Sequence, residues 1–246
     1  MEQKQLISKY RSSRIRDVLG EQGAACAGFA DISGLALPIA RKYPFGICFA
    51  IRHSDEAVNQ LPEDELWNST VPLLTEKAGR IYQAIQELLE SWGYHFSRVP
   101  TNTRVDQLPD PGEELPQKTL ATLSGLGWIG KSTLLISPTY GPRTRLGALV
   151  TDMPLETDAP VVESRCGNCR ACVDICPVHA ITGNAWTQAT PRSRLIDVRR
   201  CYDHLWSTKD VTGRRQVCGL CLKVCPVGQK AHTPDASDKL MNGWLT

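Results

Sequence analysis

The chain has 246 residues, of which 41% are hydrophobic and 22% charged, and its formal net charge is +2. It can bury a proper core and suits one large domain or two small ones. No run approaches about 18 apolar residues, and the N-terminal segment lacks the apolar stretch of a signal peptide. We therefore expect no membrane span and no secretory leader, and a cytoplasmic protein.

The first elements along the chain are a predicted helix and two predicted strands. Apolar residues recur at helical spacing over 3–22, with Gly23 as the C-cap. Short apolar runs predict strands over 24–30 and 45–51, the second of them buried. A long apolar stripe over 71–92 predicts a helix with a proline in its first turn, and such a stripe is typical of a helix that packs on a sheet.

Shorter elements follow this helix. A strand is predicted over 94–99, then a Pro-rich loop over 100–116 and a short helix over 118–124. Strands are predicted over 133–136 and 146–151, on either side of the turn sequence SPTYGP. The part of the chain up to about residue 155 is therefore predicted to be an α/β or α+β domain.

The glycine-rich turn Gly125–Ser132, with the sequence GLGWIGKS, matches two nucleotide-binding patterns at once. Both the phosphate loop and the dinucleotide fingerprint need a strand before the glycines and a helix after them, because the helix N-terminus supplies the anion site. Here helical residues precede the turn and extended residues follow it, so we predict that it binds no nucleotide. Its glycines would still let backbone approach a flat ligand closely, and Trp128 would either pack on that ligand or fill the core.

The polar residues near this turn are the only concentrated ones outside the cysteine region. They are Arg104, Asp106, Lys131, Tyr140, Arg143 and Arg145. For Arg143 and Arg145 two interpretations stay open, a cofactor contact and the solvated face of a strand. The five histidines lack metal-ligand spacing, and Cys26 and Cys48 fall in predicted strands, which indicates inert buried thiols.

The other eight cysteines form two groups in the last third of the chain. The first run, C-x2-C-x2-C-x3-C-P, is typical of two-cluster ferredoxins, in which the fourth cysteine binds the other cluster. This rule predicts that cluster one is held by Cys166, Cys169, Cys172 and Cys225. It predicts that cluster two is held by Cys176, Cys201, Cys218 and Cys221. Two zinc sites are the alternative, but zinc motifs rarely show three cysteines at successive two-residue gaps before Cys-Pro.

Charge is unevenly distributed along the chain. Residues 161–246 contain 12 Lys and Arg against 7 Asp and Glu, a net charge of +5, whereas residues 1–160 have a net charge of −3. A basic segment can indicate a nucleic-acid surface. Two thiolate-ligated clusters of about −2 each would offset roughly four positive charges, so this balance does not require nucleic-acid binding.

Four segments carry a resemblance to a known family. KTLATLSGLGWIGKSTLLISPTYGPRTRLGALVTD, CGNCRACVDICP, RRCYDHL and CGLCLKVCP resemble the epoxyqueuosine reductases, and more closely their short double-cluster relatives, from about Lys118 to Gly228. The resemblance implies a nitroreductase-like α+β domain that holds a base-off cobalamin, beside a ferredoxin-like module with two 4Fe–4S clusters. Reductive dehalogenases share this architecture. In the tRNA-modifying enzymes, electrons pass through the clusters to cobalt, which acts on the epoxide of a tRNA base.

The resemblance also implies site residues and a partner. The family's catalytic aspartate lies in a V-D-T-G-P-like motif, whose nearest counterpart here is Val105–Pro109, so the candidate catalytic residue is Asp106. Full-length members continue into a helical-repeat region that helps hold tRNA. This chain ends at Thr246, so a tRNA partner is an alternative that no such region supports.

We therefore predict an α+β chain with a nitroreductase-like cofactor and substrate domain over 1–155 and a ferredoxin-like two-cluster domain over 156–246. It would relay electrons from a donor such as a ferredoxin or flavodoxin, through two 4Fe–4S clusters, to a cobalamin that reduces a small or nucleoside-type substrate. The predicted cobalamin contacts are Gly125, Gly127, Trp128, Gly130, Lys131, Tyr140, Arg143 and Arg145. The alternatives are epoxyqueuosine reduction on tRNA, and an electron-transfer or corrinoid-reducing protein without its own substrate.

Overall fold

The structure, a computed structural model, describes residues 2–63, 65–101, 114–207 and 218–229. Its helices are α1 (Glu2–Glu21), α2 (Pro38–Lys42), α3 (Asp55–Gln60), α4 (Glu65–Ser91), α5 (Gln117–Leu123), α6 (Ala171–Asp174), α7 (Val198–Ser207) and α8 (Leu220–Lys223). Its strands are β1 (Cys26–Asp31), β2 (Phe45–Arg52), β3 (Phe96–Arg98), β4 (Trp128–Ile129), β5 (Leu135–Ile136) and β6 (Thr144–Thr151). The predicted α+β class is confirmed.

Four strands form one antiparallel sheet in the order β1-β2-β6-β3. Successive side chains of a strand point to opposite faces, so each strand serves two cores. On one face, Ile47, Phe49 and Leu149 pack with the apolar stripes of α1 and α4. The structure confirms that the α4 stripe is core. Helix α1 contributes only Ile15, Val18 and Leu19 to this core, whereas Leu6 and Tyr10 in its first half are exposed.

Helix α4 begins earlier than the sequence predicts. Pro72, expected in the first turn, lies inside the helix, which starts at Glu65. The reason is a tertiary contact: the ring of Trp67, in the added turns, stacks on His53 with 4.3 Å between ring centroids. This packing at the end of β2 stabilises the helical turns before Pro72. Sequence rules alone would begin the helix at the proline.

The other face of the sheet is lined by small residues and covered by α5 and the hairpin of β4 and β5. A Cβ atom added to Gly28 in β1 would lie well inside 3.0 Å of the Ser124 carbonyl oxygen. Glycine at this position therefore lets the start of the glycine-rich turn rest directly on the sheet. The predicted order of helix, turn and strand around Gly125–Ser132 is confirmed.

A linker connects the sheet to the cysteine-rich part of the chain. Asp158 accepts hydrogen bonds from the Arg16 guanidinium at 2.6 and 2.7 Å and from the Phe29 amide at 2.7 Å. Among the described residues beyond 160, one cluster of buried side chains contains no residue of the sheet. Its buried members are Val173, Ala180, Ile181 and Ile196. A core this small needs covalent or metal cross-links to be stable. Within the described ranges, no helix is both long enough and apolar enough to cross a bilayer.

Candidate functional site

The structure brings four cysteines together around Cys172. Burial, and after it the charges of the neighbouring Cys166, Cys225 and Cys169 thiols, raise the pKa of the Cys172 thiol to about 11. These four, which we call the first cysteine group, are the residues predicted to hold cluster one. Cys225 lies more than 50 positions along the chain from the other three.

A second set of four surrounds Cys221. Burial raises the pKa of the Cys221 thiol, and the Cys201, Cys218, Cys172 and Cys176 thiols contribute in that order, to a value of about 12. The second cysteine group is Cys176, Cys201, Cys218 and Cys221. Because Cys172 also acts on Cys221, the two groups are neighbours.

Short helices position these thiols. Cys172 lies on α6, Cys201 on α7 and Cys221 on α8, while a turn in which the Cys169 amide donates to the Cys166 carbonyl forms the first loop. The Ala180 amide donates to Sγ of Cys176 at 3.3 Å, a bond that favours a thiolate at this position. The segment after each run therefore turns back towards its own cysteines.

The donor set fits polynuclear iron–sulfur centres. The thiols around Cys172 and Cys221 raise the pKa of these two cysteines, so they would repel them as thiolates, and a cationic metal core is what offsets such repulsion. Among the described residues, no group of three or more His, Cys, Asp or Glu side chains is arranged to hold a single metal ion. The grouping thus rests on the mutual influence of the thiols and on their spacing, which is that of paired cubane clusters.

The segment that carries Cys225 rests on the loop before β6. A Cβ atom on Gly141, which has φ +57°, would lie well inside 3.0 Å of the Val227 carbonyl oxygen, and one on Gly228 would overlap the Tyr140 backbone. The two backbones can approach this closely only because both positions are glycine. Cys225 is thereby fixed against the sheet domain.

Lys131 reaches the first cysteine group from the glycine-rich turn. The side chain is buried, with 7% exposure, and its ammonium donates to the carbonyl oxygens of Gly167 at 2.8 Å and Cys169 at 2.9 Å. Charge-assisted hydrogen bonds of this kind are strong. Lys131, predicted as a cofactor contact, therefore holds the loop that carries the first cysteines.

A second lysine, Lys118 at the start of α5, was not selected from the sequence as a site residue. Its ammonium donates to the Thr133 carbonyl at 2.7 Å. Burial and the nearby Arg192 lower the pKa of Lys118, Cys221 acts in the opposite direction, and the net value is about 8. Lys118 therefore lies within electrostatic range of the second cysteine group.

The two arginines of the 137–145 region differ in their surroundings. Arg143 is 2% exposed and donates to Asp55 at 3.2 Å, to Asn59 at 3.1 Å and to the Lys223 carbonyl at 3.4 Å. It connects α3 to α8, so its interpretation as a solvated strand residue is wrong. Arg145 is half-buried and lies opposite Ile51, on the sheet face that packs against α1 and α4, away from the glycine-rich turn.

A cavity of about 650 Å³ opens beside the glycine-rich turn. Its wall is formed by Ser124–Leu126, by Ser137–Tyr140, by the linker residues 156–159, and by Lys9 and Arg16 of α1. This volume lies within the range of small-molecule and cofactor sites. Tyr140 in its wall is also the residue over which the segment after Cys225 passes, so the cavity adjoins the first cysteine group.

Of the predicted cobalamin contacts, Gly125 and Tyr140 line this cavity. Gly127 and Gly130 pack against Ile136, and Trp128 is a buried core residue with the Arg165 guanidinium 5.8 Å from its ring centroid. Their close packing is with protein, so Trp128 fills the core. The predicted catalytic residue, Asp106, lies outside the described residues.

Part of the cavity wall is formed by residues that the sequence does not indicate as site residues. Lys9 and Arg16 come from the first helix, more than 100 residues before the glycine-rich turn. Cys26, predicted as an inert thiol, also lines it, and burial raises its pKa to about 12, against a hydrogen bond with Ser137 that lowers it. The high pKa agrees with an unreactive thiol.

Comparison with known proteins supports the cysteine assignments at the level of the domain. Residues 165–228 match the 4Fe-4S double cluster binding domain. The epoxyqueuosine reductase of Aliivibrio fischeri is 32% identical over 176 residues, which are 68% of this chain and 42% of that protein. The chain thus spans less than half the length of this curated relative.

Two solved structures share the fold. An epoxyqueuosine reductase with an epoxyqueuosine-modified tRNA-Tyr stem loop superposes with a TM-score of 0.59 at 19% identity, covering 90% of this chain and 66% of its own. A reductive dehalogenase, whose structure suggests a mechanism for B12-dependent dehalogenation, gives a TM-score of 0.63 at 18% identity, covering 92% of this chain and 33% of its own. The resemblance inferred from the sequence is confirmed.

Proposed function

We propose that this chain, as a relative of the epoxyqueuosine reductases, is an iron–sulfur oxidoreductase that relays electrons through two 4Fe–4S clusters to a corrinoid. The observation that carries the proposal is the convergence of two four-thiol groups, each completed by a cysteine distant in the chain, beside a cofactor-sized cavity. The first cysteine group would hold cluster one and the second would hold cluster two. The cytoplasm, which keeps thiols reduced, is the compartment we propose.

The corrinoid would lie in the cavity between the glycine-rich turn and the linker. Gly125 and Tyr140 would face the ring, and Lys9 and Ser137 offer donors for amide or phosphate oxygens. When bound, the corrinoid would supply the metal centre that reduces the substrate. No histidine lines the described cavity, so we expect its cobalt to be held without a protein imidazole.

The residues of the chain have positioning roles in this proposal. Lys131 and Arg143 fasten the cysteine loops to the sheet domain, which keeps cluster one at a constant distance from the cavity. Residues 1–155 would form a nitroreductase-like domain and residues 156–246 a ferredoxin-like one. An external ferredoxin or flavodoxin would supply the electrons, and the substrate would be small or nucleoside-like.

Metal analysis and spectroscopy of anaerobically purified protein test the proposal. We expect about eight iron and eight sulfide per chain, four of each per cubane, and retention of added cobalamin after gel filtration. Electron paramagnetic resonance of the cob(II)alamin-loaded protein should lack hyperfine splitting from an axial nitrogen. Stoichiometric zinc in place of iron would refute the cluster assignment, and loss of cobalamin on the column would favour an electron-transfer protein without its own substrate.

Epoxyqueuosine reduction on tRNA is the second candidate. It is favoured by the 32% identity to a curated epoxyqueuosine reductase and by the structural similarity to one solved with a modified tRNA stem loop. Expression in cells that lack their own epoxyqueuosine reductase distinguishes the two candidates. Restored queuosine in tRNA would establish this substrate, whereas unchanged epoxyqueuosine, with both clusters loaded, would favour another substrate.

A further inference from the structure

One lysine of the sheet domain approaches the first cysteine group. Lys131 donates to the Gly167 carbonyl at 2.8 Å and to the Cys169 carbonyl at 2.9 Å, both in the first cysteine loop. The first cysteine group thus has a lysine from the other part of the chain.

Lys131 has no carboxylate to balance its charge within the part of the chain that the structure describes. Its ammonium bonds to two backbone carbonyls and forms no salt bridge there. Arg143, a buried cation of the same region, differs because it pairs with Asp55 at 3.2 Å. Enclosing an ammonium without an anionic partner is costly, so a nearby negative charge would stabilise it.

The cysteine groups are where that negative charge would arise. A thiolate-ligated 4Fe–4S cluster is anionic, and its charge must be counted with those of the side chains around it. Lys131 therefore lies where cluster one would supply its counter-charge. The same interaction acts on the cluster in return.

We propose that Lys131 is the counter-charge of cluster one, and that it raises the midpoint potential of that cluster. This rests on the cluster assignment of the proposed function. A cluster that accepts one electron from the external donor becomes more negative, so a fixed cation stabilises the reduced form more than the oxidised form. Lys131 is thus a positioning residue that makes cluster one easier to reduce.

The variant Lys131→Gln tests this, because glutamine removes the charge and keeps an amide donor for the carbonyls. Lys77→Gln is the matched control, since Lys77 lies on α4, at the opposite face of the sheet. Potentials are measured by dithionite titration followed by electron paramagnetic resonance, on protein without corrinoid. We expect Lys131→Gln to disfavour reduction of one cluster about tenfold, equivalent to about 59 mV for a one-electron couple.

The pattern of shifts decides the outcome. Lys131→Gln should lower one of the two potentials and leave the other unchanged, and Lys77→Gln should lower neither. Unchanged potentials with both clusters loaded would overturn the proposal, and absence of iron from the unmodified protein would instead refute the cluster assignment itself.

A variant that fails to load a cluster is resolved by charge retention. If Lys131→Gln loses cluster one, Lys131→Arg should recover it with nearly the unmodified potential. Loss of the cluster in Lys131→Arg as well would show that the shape of the lysine, and not its charge, is needed, and would overturn the proposal.

Discussion

The close approach of two backbones at Gly141 and Val227 should make Gly141 essential for cluster one. In Gly141→Ala, the new Cβ atom would lie well inside 3.0 Å of the Val227 carbonyl oxygen, nearer than real Cβ atoms approach. The φ of +57° adds a left-handed backbone that costs about 1–2 kcal/mol for a non-glycine residue. Overpacking against rigid backbone typically adds about 1–3 kcal/mol.

Together these effects predict a loss of about 2–5 kcal/mol of stability where the segment carrying Cys225 meets the sheet domain. The chain can relieve the overlap only by moving that segment, which withdraws Cys225 from the first cysteine group. Iron should then fall from about eight to about four per chain, because cluster two uses other cysteines. Denaturant unfolding and iron and sulfide analysis of anaerobically prepared protein measure both effects.

Gly79→Ala is the matched control for this substitution. Gly79 lies inside α4, and a Cβ atom added there meets nothing within 4 Å. Alanine should therefore leave both clusters intact and stabilise the helix by about 0.5–1 kcal/mol. A Gly141→Ala protein with full iron content and unchanged stability would refute the reasoning about Gly141 and its role for Cys225.

Three further predictions concern single residues. Cys201→Ser should remove about half of the iron, because Cys201 belongs to the second cysteine group alone, and equal damage to both clusters would contradict the grouping. Titration with Mg-ATP should produce no heat, because a strand follows the glycine-rich turn and no helix N-terminus is present to bind the phosphates. Binding of Mg-ATP that is abolished in Lys131→Ala would contradict this prediction. Asp158→Asn should lower the denaturation midpoint, because it weakens three hydrogen bonds and so lowers the free energy of unfolding by about 1–3 kcal/mol. The control Glu21→Gln removes an exposed ion pair and should lower the free energy of unfolding by less than about 1 kcal/mol.

Features set by neighbouring residues could be predicted from the sequence. The apolar stripe of α4 and the helix before Gly125 follow from local periodicity, so their existence was predicted correctly. The start of α4 was not, because it depends on Trp67 packing against His53, a contact between separate elements. The position of β6 between β2 and β3 is likewise a tertiary property that strand prediction does not address.

The candidate site divides in the same way. Spacing and the ferredoxin rule predicted which cysteines gather, including the distant Cys225, because this geometry is set by the cluster rather than by the fold. The polar residues were predicted from their residue types alone. In the structure Arg143 bonds to α3 and α8, and Lys131 bonds to the first cysteine loop. These partners are distant in sequence, so the residues beside Arg143 and Lys131 do not indicate them. Arg16 in the cavity wall was missed because α1 reaches the cavity only through the tertiary fold.

The sheet domain and the cysteine-rich part depend on each other for their stability. Val173 and three other residues make up a core too small to be stable alone, so clusters and contacts with the sheet domain must supply the rest. Those contacts, from Lys131 and Arg143 and at the Gly141 backbone, all fall on segments that carry cysteines. The interactions that stabilise the cysteine loops are therefore the same ones that hold the first cysteine group beside the cavity. A change that loosens this interface should reduce cluster content and cofactor retention together, whereas a change in the α1–α4 core should lower stability with cluster content preserved in the folded fraction.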